Sequence, residues 1–97
     1  MSISVSTHVL DTGAGRPAVG VRVELVRDRD VVVAGETDDD GRIAELATGL
    51  ESGRYALVFW PASPFFTRVE LEVDLVAGHY HVPLLVSPYG CASYRGS

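Results

Sequence analysis

Apolar and polar residues alternate through most of the chain. In "SISVSTHV", Ile3, Val5 and Val9 fall on one face, and Ser4, Ser6 and His8 fall on the other. "VRVEL" sets Val21, Val23 and Leu25 against Arg22 and Glu24. "TRVELEVDL" sets Val69, Leu71, Val73 and Leu75 against Arg68, Glu70, Glu72 and Asp74. A period of two predicts strands with one buried and one wetted face. "YALVFW" is apolar throughout, which predicts a strand covered on both faces. Turn-forming stretches separate these runs: "DTGAGRPAVG", "TDDDGR", "ESGR", "WPASP" and "VAGH". Short strands at regular spacing predict an all-β sandwich or barrel. "GRIAELATGLESG" is ambiguous. Ile43, Leu46 and Leu50 have helical spacing, but the stretch is short and bounded by Gly41 and Gly53, which favours a strand and loop over a short helix.

With 97 residues the expectation is one domain, 1–97, with one modest core. Net charge is −5, from 13 acids against 8 bases, which argues against nucleic acid or an anionic membrane as partner. No apolar run approaches the ~18 residues of a spanning helix. The N-terminus has neither a basic nor an apolar signal region. A single cysteine, Cys91, allows no intrachain disulfide, so the expected address is the cytoplasm.

Reactive groups crowd "HYHVPLLVSPYGCASYRGS", residues 79 to 97. His79 and His81 share one face of a strand, and His8 supplies a third imidazole. Three histidines are a zinc recipe. With no cysteine pair and no evident carboxylate to orient them, acid–base work near neutral pH is the better reading. His8 also reads as a solvent-facing strand residue, although Ser4, Ser6 and His8 form a stripe suited to lining a cleft. Counting Glu36 as the first position of a calcium loop puts Ala47 where a bidentate Glu is required, so "ETDDDGR" reads as a tight turn. Arg42 follows it, either as a solvated turn residue, which spacing alone favours, or as a planar fork suited to a carbonyl or an anion. Cys91 reads as a small buried thiol rather than a nucleophile. Ser87 lacks the glycines of a hydrolase elbow.

"STHVLDTGAGRPAVGVRVEL", "TDDDGR" and the terminal "HYHVPLLVSPYGCASYRGS" together resemble the 5-hydroxyisourate hydrolases, the transthyretin-like proteins of purine breakdown. The resemblance runs nearly end to end, and Tyr-Arg-Gly-Ser is its most diagnostic part. It implies a transthyretin-like (prealbumin-like) sandwich of two antiparallel sheets and a homotetramer with sites in a channel between dimers. It also implies hydrolysis of 5-hydroxyisourate with no cofactor or metal. The site residues it implies are His8, Arg42 and His81 as catalytic groups, with Tyr94 and Ser97 joining His8 and Arg42 in binding substrate; His79 ranks below His81. The chain departs from the family in two places. "WPASP" replaces the usual short helix, which is therefore shortened or absent, since two prolines in five residues cannot support it. "CAS" replaces the more usual "YST" before Tyr94. The rival reading is a non-catalytic transthyretin-like carrier. A third is an accessory domain that only mediates assembly.

Overall fold

The computed structural model describes residues 2–96. Strands β1 (Ile3–Asp11), β2 (Arg16–Pro17), β3 (Arg22–Arg27), β4 (Asp30–Glu36), β5 (Arg42–Leu50), β6 (Gly53–Trp60), β7 (Val69–Leu75), β8 (Gly78–His81), β9 (Leu84–Val86) and β10 (Cys91–Ser93) form two sheets. No helix occurs among the described residues. The alternating runs bury the face that their pattern assigns. Ile3, Val5 and Val9 from β1 meet Val23 and Leu25 from β3 and Tyr55, Leu57 and Phe59 from β6 in a single core. Burying such a Leu, Val or Phe side chain is worth about 1.5–3 kcal/mol, which drives the two apolar faces together.

The four-stranded sheet, β4-β3-β6-β7, is antiparallel throughout. The six-stranded sheet is mixed. β1 is its axis, antiparallel to β2 and β5 on one edge and parallel to β8 and β9 on the other. The parallel pairing arises because the chain leaves β7 at the edge of the first sheet and crosses to the second. Tyr80 holds that crossover, its hydroxyl accepting from the Val76 amide at 2.9 Å and the Ala77 amide at 3.4 Å. β6 buries Tyr55, Leu57, Val58 and Phe59; Trp60 at its end is exposed.

The ambiguous stretch is strand β5, and its helical spacing has a structural cause. Ile3 pairs with Leu50, Val5 with Ala47 and Thr7 with Ile43, so β5 carries extra residues at two register shifts. Each bulge interrupts the alternation, so Ile43, Leu46 and Leu50 reach the core at spacings of three and four. The "WPASP" connection is short and non-helical. The Ser63 hydroxyl closes it by accepting from the amides of Phe65 and Phe66.

Gly41 ends the turn that feeds β5. It has φ +73°, and a Cβ there would lie 2.6 Å from the Val9 carbonyl oxygen and 2.9 Å from Pro17 Cβ. Gly41→Ala combines backbone strain with a clash against β1, and we expect it to cost about 2 kcal/mol or more. Urea denaturation should show a lower midpoint at unchanged slope; an unaltered midpoint would mean that the turn tolerates a side chain.

Candidate active site

Three strands bring the candidate groups to the outer face of the six-stranded sheet. On β1, the inner residues enter the core and Ser4, Ser6 and His8 point the other way. β8 runs beside β1 in parallel register, with Ser4 opposite His79 and Ser6 opposite His81. β5 lies on the other edge, with Arg42 opposite His8. His8, Arg42, His79 and His81 thus occupy one patch.

Arg42 is held there by its turn. The Asp38 carboxylate accepts from the amides of Asp40 at 2.9 Å and Arg42 at 3.0 Å. The Asp38 amide donates to the Arg42 carbonyl at 2.9 Å, and the Gly41 carbonyl accepts from the Val9 amide at 2.7 Å. The Arg42 amide is the largest cause that holds the Asp38 carboxyl below its ordinary pKa. The acidic run before Arg42 is therefore a clamp around one backbone turn. Asp38 was not singled out by sequence reasoning; the signal was its spacing, four residues before the arginine and three before a glycine.

The histidines of β8 join the serines of β1. Ser4 Oγ lies 2.7 Å from His79 Nδ1, Ser6 Oγ 2.9 Å from His79 Nε2, and Ser6 Oγ 2.8 Å from His81 Nδ1. His79 is exposed, while His81 is half-buried. Burial is the main cause that pushes the His81 pKa below its ordinary value, and His8, His79 and Arg42 add repulsion against a further positive charge. Among the described residues, no three His, Cys, Asp or Glu side chains converge as a metal-binding group.

The tail returns to the same strand. The Gly96 amide donates to the His81 carbonyl at 2.7 Å, and a Cβ on Gly96 would lie 2.6 Å from His81 Cδ2. Only a residue without a side chain fits against that ring. The Arg95 guanidinium stacks 4.2 Å above the Tyr80 ring, and the Ser93 hydroxyl donates to the Pro83 carbonyl at 2.8 Å. Tyr94 is not drawn into the histidine patch of this chain. It is 58% exposed and lines a groove with Leu71, Val73, Tyr80 and Val82. Ser97 lies outside the described residues. Cys91, expected to be a buried thiol, is exposed. The correction has a simple cause: β10 is an edge strand with all three residues uncovered.

This β-sandwich has known counterparts. Residues 5–96 match the model of the HIUase/Transthyretin family, and the chain belongs to that family. 5-Hydroxyisourate hydrolase of Deinococcus radiodurans is 40% identical, with 96% of this chain and 95% of that protein covered. Their alignment spans 113 positions against 97 residues here, so the relative carries at least 16 residues that this chain lacks. The structure of Klebsiella pneumoniae 5-hydroxyisourate hydrolase matches with a TM-score of 0.90 at 36% identity, covering 97% of this chain and 98% of that one. Sea bream transthyretin, solved in complex with thyroxine, matches with a TM-score of 0.80 at 26% identity, covering 95% and 93%.

The depressed His81 pKa has a measurable consequence. An imidazole whose folded-state pKa lies below its unfolded value of 6.5 binds fewer protons when folded. Its contribution to stability is complete above that value and is lost as pH falls through it toward the folded pKa. Imidazole NMR titration should give His81 a midpoint below 6.5, and His81→Gln should flatten the loss of stability on the acid side of that value. A His81 midpoint at or above it would contradict the charge environment described.

Proposed function

We propose that this chain hydrolyses 5-hydroxyisourate to 2-oxo-4-hydroxy-4-carboxy-5-ureidoimidazoline. The observation that carries the reading is the convergence of His8, Arg42 and His81 on one sheet face. The hydrolase names of relatives covered nearly end to end support it. Water is a poor nucleophile near neutrality, so an imidazole must take its proton. His81 suits that step because its surroundings favour the neutral form. His8, on β1 two residues beyond the Ser6 that pairs with His81, would then return a proton to the leaving nitrogen. Attack on the ring carbonyl creates a tetrahedral oxyanion, and Arg42 offers the fixed cationic donor that it needs. The turn clamp fixes the Arg42 backbone, so only its side chain has to settle on the oxyanion as the charge develops.

Tyr94 and Ser97 enter this reading as substrate-binding groups, and assembly is what would bring them to it. β7 and β10 are sheet edges with unpaired backbone groups. The groove of about 470 Å³ beside them, lined by Leu71, Val73, Tyr80, Val82 and Tyr94, presents apolar surface. Both features favour pairing with further copies of the chain, in keeping with a homotetramer whose tail contributes to a shared channel. The cytoplasm remains the expected location. The carrier reading draws on the likeness to a thyroxine-bound transthyretin, but a carrier has no use for a cation set beside two imidazoles.

The deciding assay generates 5-hydroxyisourate from urate with urate oxidase and follows its decay. Purified protein should accelerate the decay, and EDTA should leave the rate unchanged; activity lost to chelation and restored by zinc would replace the acid–base roles of His8 and His81. Arg42→Lys keeps the charge but loses the planar fork, so activity should fall by about 10²-fold with folding intact. Near-normal kinetics in that variant would reduce Arg42 to a turn residue. Deleting Tyr94 to Ser97 should abolish hydrolysis while the β-sheet circular dichroism persists. A truncated protein as fast as the intact one would favour the carrier.

A further inference from the structure

His79 has no role in the steps above, yet both of its ring nitrogens are engaged. Ser4 and Ser6 stand two residues apart on one face of β1, and the His79 ring bridges them at 2.7 and 2.9 Å. Ser6 is buried and continues to His81 Nδ1 at 2.8 Å. The result is an unbroken chain: Ser4, His79, Ser6, His81. A serine hydroxyl has one proton and a neutral imidazole has one, so the contacts must run in one direction to be satisfied. In the direction that leaves a lone pair on His81 Nε2, His81 Nδ1–H donates to Ser6, Ser6 O–H donates to His79 Nε2, and His79 Nδ1–H donates to Ser4. Among the described residues, no hydrogen-bond partner engages His81 Nε2.

We infer that His79 is a positioning residue for His81: through the shared Ser6 hydroxyl it fixes the His81 proton on Nδ1, leaves Nε2 as the base, and takes over the positive charge once Nε2 has accepted a proton from water. The inference rests on the hydrolase reading for its kinetic consequence and on the geometry alone for its hydrogen-bond chain. The proton balance closes. The water O–H bond breaks as the His81 Nε2–H bond forms. The His81 Nδ1 proton passes to Ser6 Oγ while the Ser6 proton passes to His79 Nε2. His81 is then neutral with its proton on Nε2, Ser6 is again a neutral hydroxyl, and His79 is the imidazolium.

The direction of transfer follows from burial and charge. His81 is half-buried and faces Arg42 and His8, so an imidazolium there is repelled and poorly solvated. His79 is exposed to solvent at the outer end of the chain. Moving the charge across one serine carries it from the worse position to the better one. Two histidines two residues apart on a strand, beside two serines with the same spacing on the neighbouring strand, are what such a chain requires. A parallel pairing in register supplies it.

The test combines nitrogen NMR with kinetics on the full chain. With 15N-labelled histidine at neutral pH, His81 should show a protonated Nδ1 and a pyridine-like Nε2. His79→Phe keeps an aromatic ring but has no nitrogens; it should shift His81 toward a mixture of tautomers. It should also lower kcat about tenfold, part of the ~10²–10⁴-fold that a general base supplies, with KM changed less than about twofold. Ser6→Ala cuts the same chain, so the double variant Ser6→Ala/His79→Phe should be no slower than Ser6→Ala alone. His79→Gln tests the charge transfer separately. Its amide oxygen accepts from Ser6 and should restore the His81 tautomer, but it cannot take a proton, so kcat should stay low. Unchanged His81 shifts in a folded His79→Phe protein would overturn the inference. So would additive losses in the double variant, or full recovery of kcat in His79→Gln. If the wild-type protein fails to hydrolyse 5-hydroxyisourate, the proposed function falls, and the NMR arm still decides the hydrogen-bond chain.

Discussion

β1 is hydrogen-bonded along both of its edges, and the other candidate groups are placed by reference to it. Its inner face supplies Ile3, Val5 and Val9 to the core, so its rotation about its own axis is fixed by burial. A slip of one residue in any neighbour would send that neighbour's side chains to the opposite face. β8 therefore stays in register through its backbone bonds and through the serine–histidine contacts of the outer face. β5 stays in register although it carries two bulges, because Arg42 is locked opposite His8 by the Asp38 turn. The apolar side of β1 holds the fold, and its polar side sets the spacing of the candidate chemistry.

Electrostatics sets the candidate cluster apart in an acidic protein. The net charge is −5, yet no carboxylate forms a salt bridge with His8, His81 or Arg42 among the described residues. The salt bridges are made by Arg22, Arg54 and Arg68 and lie on the first sheet and its margin, half a sandwich away. Asp38, the nearest carboxylate in the turn, is occupied by backbone amides. The guanidinium of Arg42 makes no salt bridge there, and burial, aided by the positive surroundings of His8, His79 and Arg42, holds His81 toward the neutral form. Such exposed pairs contribute little to stability; their distance from the candidate site matters more.

Much of this was legible in the sequence, for identifiable reasons. A period of two survives in β1, β3 and β7 because each has one drier face, and "YALVFW" loses it because β6 also buries Val58 on its outer face, although Trp60 at its end is exposed. The motifs around His8, Arg42 and His81 carried the family, and the two-proline connection carried the missing helix. The bulges of β5 were not legible, since a bulge mimics helical spacing and shows itself only in the register with a partner. The parallel run of β8 beside β1 was hidden for the same reason. Without it, His79 looked like a weaker duplicate of His81. Its two serine contacts depend on which strand lies alongside, a non-local fact that no local pattern encodes. The exposure of Cys91 likewise depended on whether another strand lies beyond β10.

The parallel half of the second sheet also has a cost in time. Ser6 and His81 are 75 residues apart along the chain, and Thr7 reaches the Val82 carbonyl across the same separation. β1 emerges from the ribosome long before β8 and β9 exist. At ordinary synthesis rates of ~5–20 residues per second, one edge of a strand with a largely apolar inner face waits several seconds for its partners. Contacts of such long range also slow folding after release. The serines and His8 that alternate with the apolar residues of β1 then act before any site is formed. They make the waiting strand a poorer template for other chains, so the polar stripe read here as chemistry first serves as protection during biosynthesis.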